Sequence, residues 1–164
     1  MAQVTLGGNP IHTNGELPAV GSKLPNATLT GVDLKDVSLA DLHGKKVLNI
    51  FPSVDTGVCA ASIREFNKRA AGLDGVSVLC ISNDLPFAMK RFCGAEGIEN
   101  VHNFSGFRSS FASDFGVEVT DSGFAGLMAR AVVVTDADNI VQYVELVPEI
   151  GQEPNYDAAL AALG

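Results

Sequence analysis

The spacing of apolar positions changes period several times along the chain, and each change marks an element. Val47-Leu48-Asn49-Ile50-Phe51 lies between Lys45-Lys46 and Pro52; it is too short for a helix and rich in large apolar groups, which predicts a buried strand. Directly after it Ile63, Phe66 and Ala70 fall at i, i+3 and i+7 while Arg64, Lys68 and Arg69 lie off that face, so residues 57–71 read as an amphipathic helix ending at Gly72. Residues 76–81 form a second buried run, and Asp84 with Pro86 opens a helix that runs through Phe92 and stops at Gly94. Residues 131–134 and 140–144 alternate around a polar connection and predict a hairpin; Tyr156, Leu160 and Leu163 line one face of a C-terminal helix. Near the start, 3–6 and 10–13 flank Gly7-Gly8-Asn9 and predict a smaller hairpin. Between 95 and 128 no period is sustained, so only a short helix near 108–115 is expected there, with loops around it.

Two early strands that need helical crossovers and two late ones that need only a turn imply an α/β fold: a central mixed β-sheet flanked by helices, with an N-terminal β-hairpin. No repeat, linker or charge block divides the chain, so one domain over residues 1–164 is expected.

Composition changes this picture mainly by exclusion. With 46% hydrophobic and 18% charged residues, the 164-residue chain can bury one substantial core. Eleven Lys and Arg against nineteen Asp and Glu give a net charge of −8, which repels phosphate backbones and anionic lipid, so neither nucleic acid nor a membrane is an expected partner. The first residues lack the basic and apolar regions of an export signal, and the expectation is a soluble cytoplasmic protein. His12, His43 and His102 stand singly, and no C-x-x-C, G-x-G-x-x-G or Walker lysine motif occurs, so no metal or organic cofactor is expected. Glu145, Glu149, Glu153 and Asp157 read as a solvated acidic face.

Three cysteines are too few for a disulfide scaffold but leave room for one redox-active pair and a spare thiol. Cys59 follows Thr56 by three residues where a buried strand gives way to a helix. With Thr56 as N-cap, the sulfur lies in the first turn, where unpaired N–H groups and the helix dipole favour an anion and lower a thiol pKa. A buried cysteine packed as a small hydrophobe is the plainer alternative. Asp55 acts against activation unless it is paired with a cation, and the thiolate itself requires a positive partner. Arg130, at the head of an apolar strand, is the candidate, because strand ends cluster near helix starts in a parallel-type core; a surface arginine at a strand edge is the alternative. Cys93 sits at its helix end beside Gly94 and Gly97, where the last turn frays, or else is a thiol without a role. Cys80, inside an apolar run, reads as a core thiol.

Pro52-x-x-x-Thr56-x-x-Cys59 closely resembles the active-site signature of peroxiredoxins. The longer segments 47–62, 91–97 and 129–134 resemble the bacterial thiol peroxidase branch, the atypical 2-Cys peroxiredoxins, and the similarity spans nearly the whole chain. The resemblance implies a thioredoxin-like fold, Cys59 as peroxidatic and Cys93 as resolving cysteine of the same subunit. Pro52 would shield the sulfur, Thr56 would hydrogen-bond the sulfur or peroxide, and Arg130 would orient and activate both. It further implies reduction of hydrogen peroxide and organic (alkyl or lipid) hydroperoxides, recycling by thioredoxin, and a homodimer. A thiol–disulfide oxidoreductase, against which the missing C-x-x-C weighs, and a non-enzymatic redox sensor are the other functions these residues allow.

Overall fold

The computed structural model describes residues 1–164. Strands β1 (Gln3–Leu6) and β2 (Asn9–His12) form an antiparallel sheet of their own, turning through Gly7 and Gly8 at φ of 58° and 84°, a region glycine enters without steric cost. The main sheet contains β3 (Thr28–Gly31), β4 (Asp36–Ser38), β5 (Lys45–Ile50), β6 (Val76–Ser82), β7 (His102–Ser105), β8 (Ala131–Thr135) and β9 (Val141–Leu146), in the order β4-β3-β7-β6-β5-β8-β9. The helices are α1 (Gly57–Ala70), α2 (Pro86–Glu96), α3 (Phe111–Asp114) and α4 (Tyr156–Ala161). β5, β6 and β7 run parallel and are joined by α1 and α2, whereas every other pairing is antiparallel.

The strand period of two divides the core between the faces of the sheet. Leu48, Ile50, Leu79, Ile81, Ala131 and Val133 pack on one side with Phe111 and Phe115, whose rings stack 4.1 Å apart. Val47, Val78, Cys80, Val132 and Val134 face the other side, under Ile63 and Phe66 of α1 and Met89 and Phe92 of α2. A small third cluster, Val4, Ile11, Val119, Ala129 and Ile150, seats the N-terminal hairpin.

Several expectations need correction. β7 lies where a loop was expected, and β3 and β4 are strands that the sequence did not predict; His102-Asn103-Phe104-Ser105 has little apolar content, and only pairing with β3 and β6 makes it a strand. The expected 108–115 helix shrinks to the four residues of α3. Asp84 does not open α2: Leu85 occupies the N-cap without a side-chain cap, and Pro86 starts the helix. Nor does Gly94 end it. α2 continues to Glu96 and is closed by Gly97 at φ 65°, whose N–H bonds the Cys93 carbonyl, so Cys93 lies in an intact last turn. No helix is long and apolar enough to cross a membrane.

Candidate active site

Pro52, buried just beyond β5, cannot donate to the sheet, and the ladder ends there. The chain turns into α1 with Thr56 as its N-cap, and the Cys59 N–H donates to Thr56 Oγ1 at 3.3 Å. Cys59 is therefore in the first turn, as the spacing predicts, and it is fully buried. The Thr56 hydroxyl differs from expectation. It donates to the Ser53 carbonyl at 3.3 Å rather than to the sulfur.

The cation that lies against Cys59 is Arg130. Register explains its arrival: β8 is antiparallel to β5 and pairs Ala131 with Ile50, so the start of β8 lies beside the end of β5. The parallel-core reasoning is corrected on this point, since it is the head of an antiparallel strand that meets the helix start. Arg130 is 1% exposed, its Nη2 donates to Cys59 Sγ at 3.2 Å and its Nε donates to the Ile150 carbonyl at 2.8 Å. The surface-arginine alternative is thereby excluded. No carboxylate forms an ion pair with Arg130. A buried guanidinium without an anion is costly, and the Cys59 sulfur is the one side-chain acceptor it has. The third nitrogen, Nη1, is buried and unpartnered. Asp55 is occupied elsewhere, accepting from Arg91 Nη2 at 2.7 Å.

A largely apolar cavity of about 320 Å³ opens among Leu6, Val58, Phe124 and Ile150, with Thr56 and Arg130 in its wall. Glu149 also lines it, and here the reading of a solvated acidic face fails. Its Oε1 accepts from the Thr5 hydroxyl and the Gly8 N–H, both at 2.9 Å, and its Oε2 accepts from the Gly151 N–H at 2.7 Å. The Gly151 and Gly8 N–H groups lead in lowering its pKa to about 2. The carboxylate thus clasps the hairpin against the cavity.

Cys93 opens elsewhere. It is half-buried in the wall of a separate cleft of about 620 Å³ that shares no lining residue with the first, and Asn103 Nδ2 donates to its sulfur at 3.0 Å. Burial pushes its thiol pKa up, with the Asn103 bond opposing. Cys80 is wholly buried and pushed up to about 12 by desolvation, in keeping with a core thiol. All three cysteines are free.

Three residues near the site were not singled out as site residues by the sequence. Asp84 accepts from Ser53 Oγ at 2.7 Å, the Val54 N–H at 2.8 Å and Ser82 Oγ at 2.5 Å, tying the loop before Cys59 to the loop that leads into α2. Its place just beyond the carboxyl end of a buried strand is a signal that could have found it. Arg91 and Asn103 have no such signal, because their partners are distant in sequence.

A thiol set at a helix start on a mixed sheet and held by a buried guanidinium defines a cysteine-based redox site. The redoxin family model matches residues 19–160, and the chain belongs to that family. Thiol peroxidases of Mycobacterium bovis and Corynebacterium glutamicum are 64% and 56% identical, covering 100% and 99% of this chain and 99% of each relative. A solved peroxiredoxin-like protein from Aquifex aeolicus superposes with a TM-score of 0.93 at 39% identity, covering 98% of this chain and 95% of its own. The protein is a thiol-dependent peroxidase of the peroxiredoxin type, with the thioredoxin-like fold and N-terminal hairpin that the resemblance implied.

Proposed function

We propose that Cys59 is the peroxidatic cysteine and Cys93 the resolving cysteine of the same chain, acting as one domain over residues 1–164. The Cys59 thiolate attacks one oxygen of a hydroperoxide; the O–O bond breaks, the sulfur is oxidised by two electrons to sulfenic acid, and the departing alkoxide takes a proton to leave as alcohol. The Cys93 thiolate then attacks the sulfenic sulfur, and the expelled hydroxide takes a proton to leave as water. A thioredoxin-type dithiol returns two electrons and two protons and restores both thiols. No metal or organic cofactor enters these steps.

The observation that carries this reading is the 3.2 Å bond from the buried Arg130 guanidinium to Cys59 Sγ. In the attack Nη2 steadies the sulfur while the unpartnered Nη1 supplies a donor for the oxygen that gains charge. Pro52 keeps bulk water from the sulfur. The Thr56 bonds, at the long end of the hydrogen-bond range, leave its hydroxyl able to turn to an arriving peroxide oxygen. The apolar cavity favours alkyl and lipid hydroperoxides alongside hydrogen peroxide.

The same reading includes a cytoplasmic location and a homodimer. Leu85, Phe87 and Phe107, three large apolar side chains exposed just beyond the carboxyl ends of β6 and β7, are in keeping with a second copy covering that edge. Replacement tests the cysteine roles: Cys59→Ser abolishes peroxide consumption, and Cys93→Ser reacts once and then stalls or overoxidises. Sustained turnover by Cys59→Ser, or full thioredoxin-dependent cycling by Cys93→Ser, would reject the corresponding role.

A further inference from the structure

Asn49, Cys80 and Asn103 form one row across β5, β6 and β7, since Asn49 is the register partner of Cys80 and Cys80 that of Asn103. They put polar groups into an otherwise apolar face beneath α1 and α2. Asn103 is 8% exposed, and its Oδ1 has no hydrogen-bond partner. A buried carbonyl left unpaired costs on the order of 1–3 kcal/mol, so an apolar residue would serve the core better. What Asn103 supplies is its other end: Nδ2 is the one hydrogen-bond donor to Cys93 Sγ, at 3.0 Å. Lys90 of α2, Asp33 of the β3–β4 turn, Glu99 and His102 also line the cleft, and none of them bonds the sulfur.

The Cys93 sulfur lies at one cavity and the groups around Cys59 at another. A Cys59–Cys93 disulfide requires the two Cα atoms within about 7 Å, and on the reading above Cys93 leaves the last turn of α2 to form it. The Asn103 bond belongs to the intact helix and is lost in that movement. We propose that Asn103 is a positioning residue that holds Cys93 in α2 and slows its transfer to Cys59, setting how much sulfenic acid is overoxidised before it is resolved. This rests on the resolving role given to Cys93 above.

The test has two parts. In Cys59→Ser protein, alkylation of Cys93 by iodoacetamide is followed against pH by peptide mass. Adding Asn103→Ala removes the donor, and the midpoint rises by about half a unit or more. Asn103→Asp, nearly isosteric, raises it further because a carboxylate faces the thiol. In protein that keeps both cysteines, Asn103→Ala speeds conversion of sulfenic acid to disulfide by roughly three- to tenfold, and less sulfinic acid accumulates under excess peroxide. An unchanged midpoint, or a lower midpoint with faster alkylation at every pH, would mean a bystander or a merely loosened helix and would overturn the proposal. A raised midpoint with unchanged disulfide formation would equally overturn the brake. Cys93→Ser protein that still cycles would instead overturn the resolving role.

Discussion

The guanidinium of Arg130 is fixed by the Ile150 carbonyl at one nitrogen and reaches the sulfur of Cys59 with another, across 71 positions of sequence. Ile150 is preceded by Glu149, whose carboxylate holds the N-terminal hairpin, so the cation, the thiol and one wall of the apolar cavity are coupled through a single short segment. Nη2 donates to the sulfur, and the remaining nitrogen, Nη1, is buried beside it without a partner.

Replacing Arg130 by Gln removes that donor pair. The second-order rate of Cys59 oxidation falls by roughly 10²–10³-fold, the usual cost of losing a donor aimed at developing charge. Arg130→Lys keeps the charge but not the planar fork, and recovers only part of the rate. Stopped-flow oxidation checks both variants, with circular dichroism to establish that each is folded.

Glu149 makes the docking of the hairpin depend on acid. Its carboxyl titrates at about 2 in the folded protein against an ordinary 4.5, so the folded state takes up this proton less readily than the unfolded chain. The stabilisation is full above about pH 4.5 and is lost as pH falls toward 2. Glu149→Gln removes it, flattens the acid unfolding curve in that window and speeds amide exchange in β1 and β2 at neutral pH. With the wall loosened, preference for cumene hydroperoxide over hydrogen peroxide falls. Exchange measured by mass spectrometry, with the two oxidation rates, tests both consequences.

Cys80 titrates at about 12 rather than 9.0 because its surroundings cannot solvate a thiolate. Its contribution to stability is full below pH 9 and is lost as pH rises toward 12. Cys80→Ala flattens alkaline unfolding over that range and, with Cys80 wholly buried in the core, is expected to leave peroxide turnover within about twofold. Thermal melts between pH 8 and 12 check the first point and steady-state turnover the second.

Local features of the site were legible in the sequence. Thr56 and Cys59 are three residues apart at a strand-to-helix junction, and that spacing alone implies the capping geometry. The sequence also pointed to a cation near the thiol, and the arginine heading an apolar strand is the one that lies against the sulfur. Its route was not, because antiparallel pairing of β8 with β5 is a property of the assembled sheet. β7 was hidden for a related reason: its four residues are mostly polar and become a strand only between β3 and β6, which carries Asn103 to Cys93. Asp55 looked like an obstacle until Arg91, 36 positions away, was found to hold it. Glu149 looked solvated because the Gly8 N–H and the Thr5 hydroxyl that converge on it lie 141 and 144 positions away in the sequence.

The most direct test is to mix the reduced protein with one equivalent of hydrogen peroxide or cumene hydroperoxide, monitor oxidation by stopped flow and map the product by peptide mass. The account predicts oxidation far faster than that of an ordinary thiol and a single Cys59–Cys93 bond within one chain. Oxidation at an ordinary thiol's pace, or a product in which Cys59 is oxidised while Cys93 remains free, would contradict it.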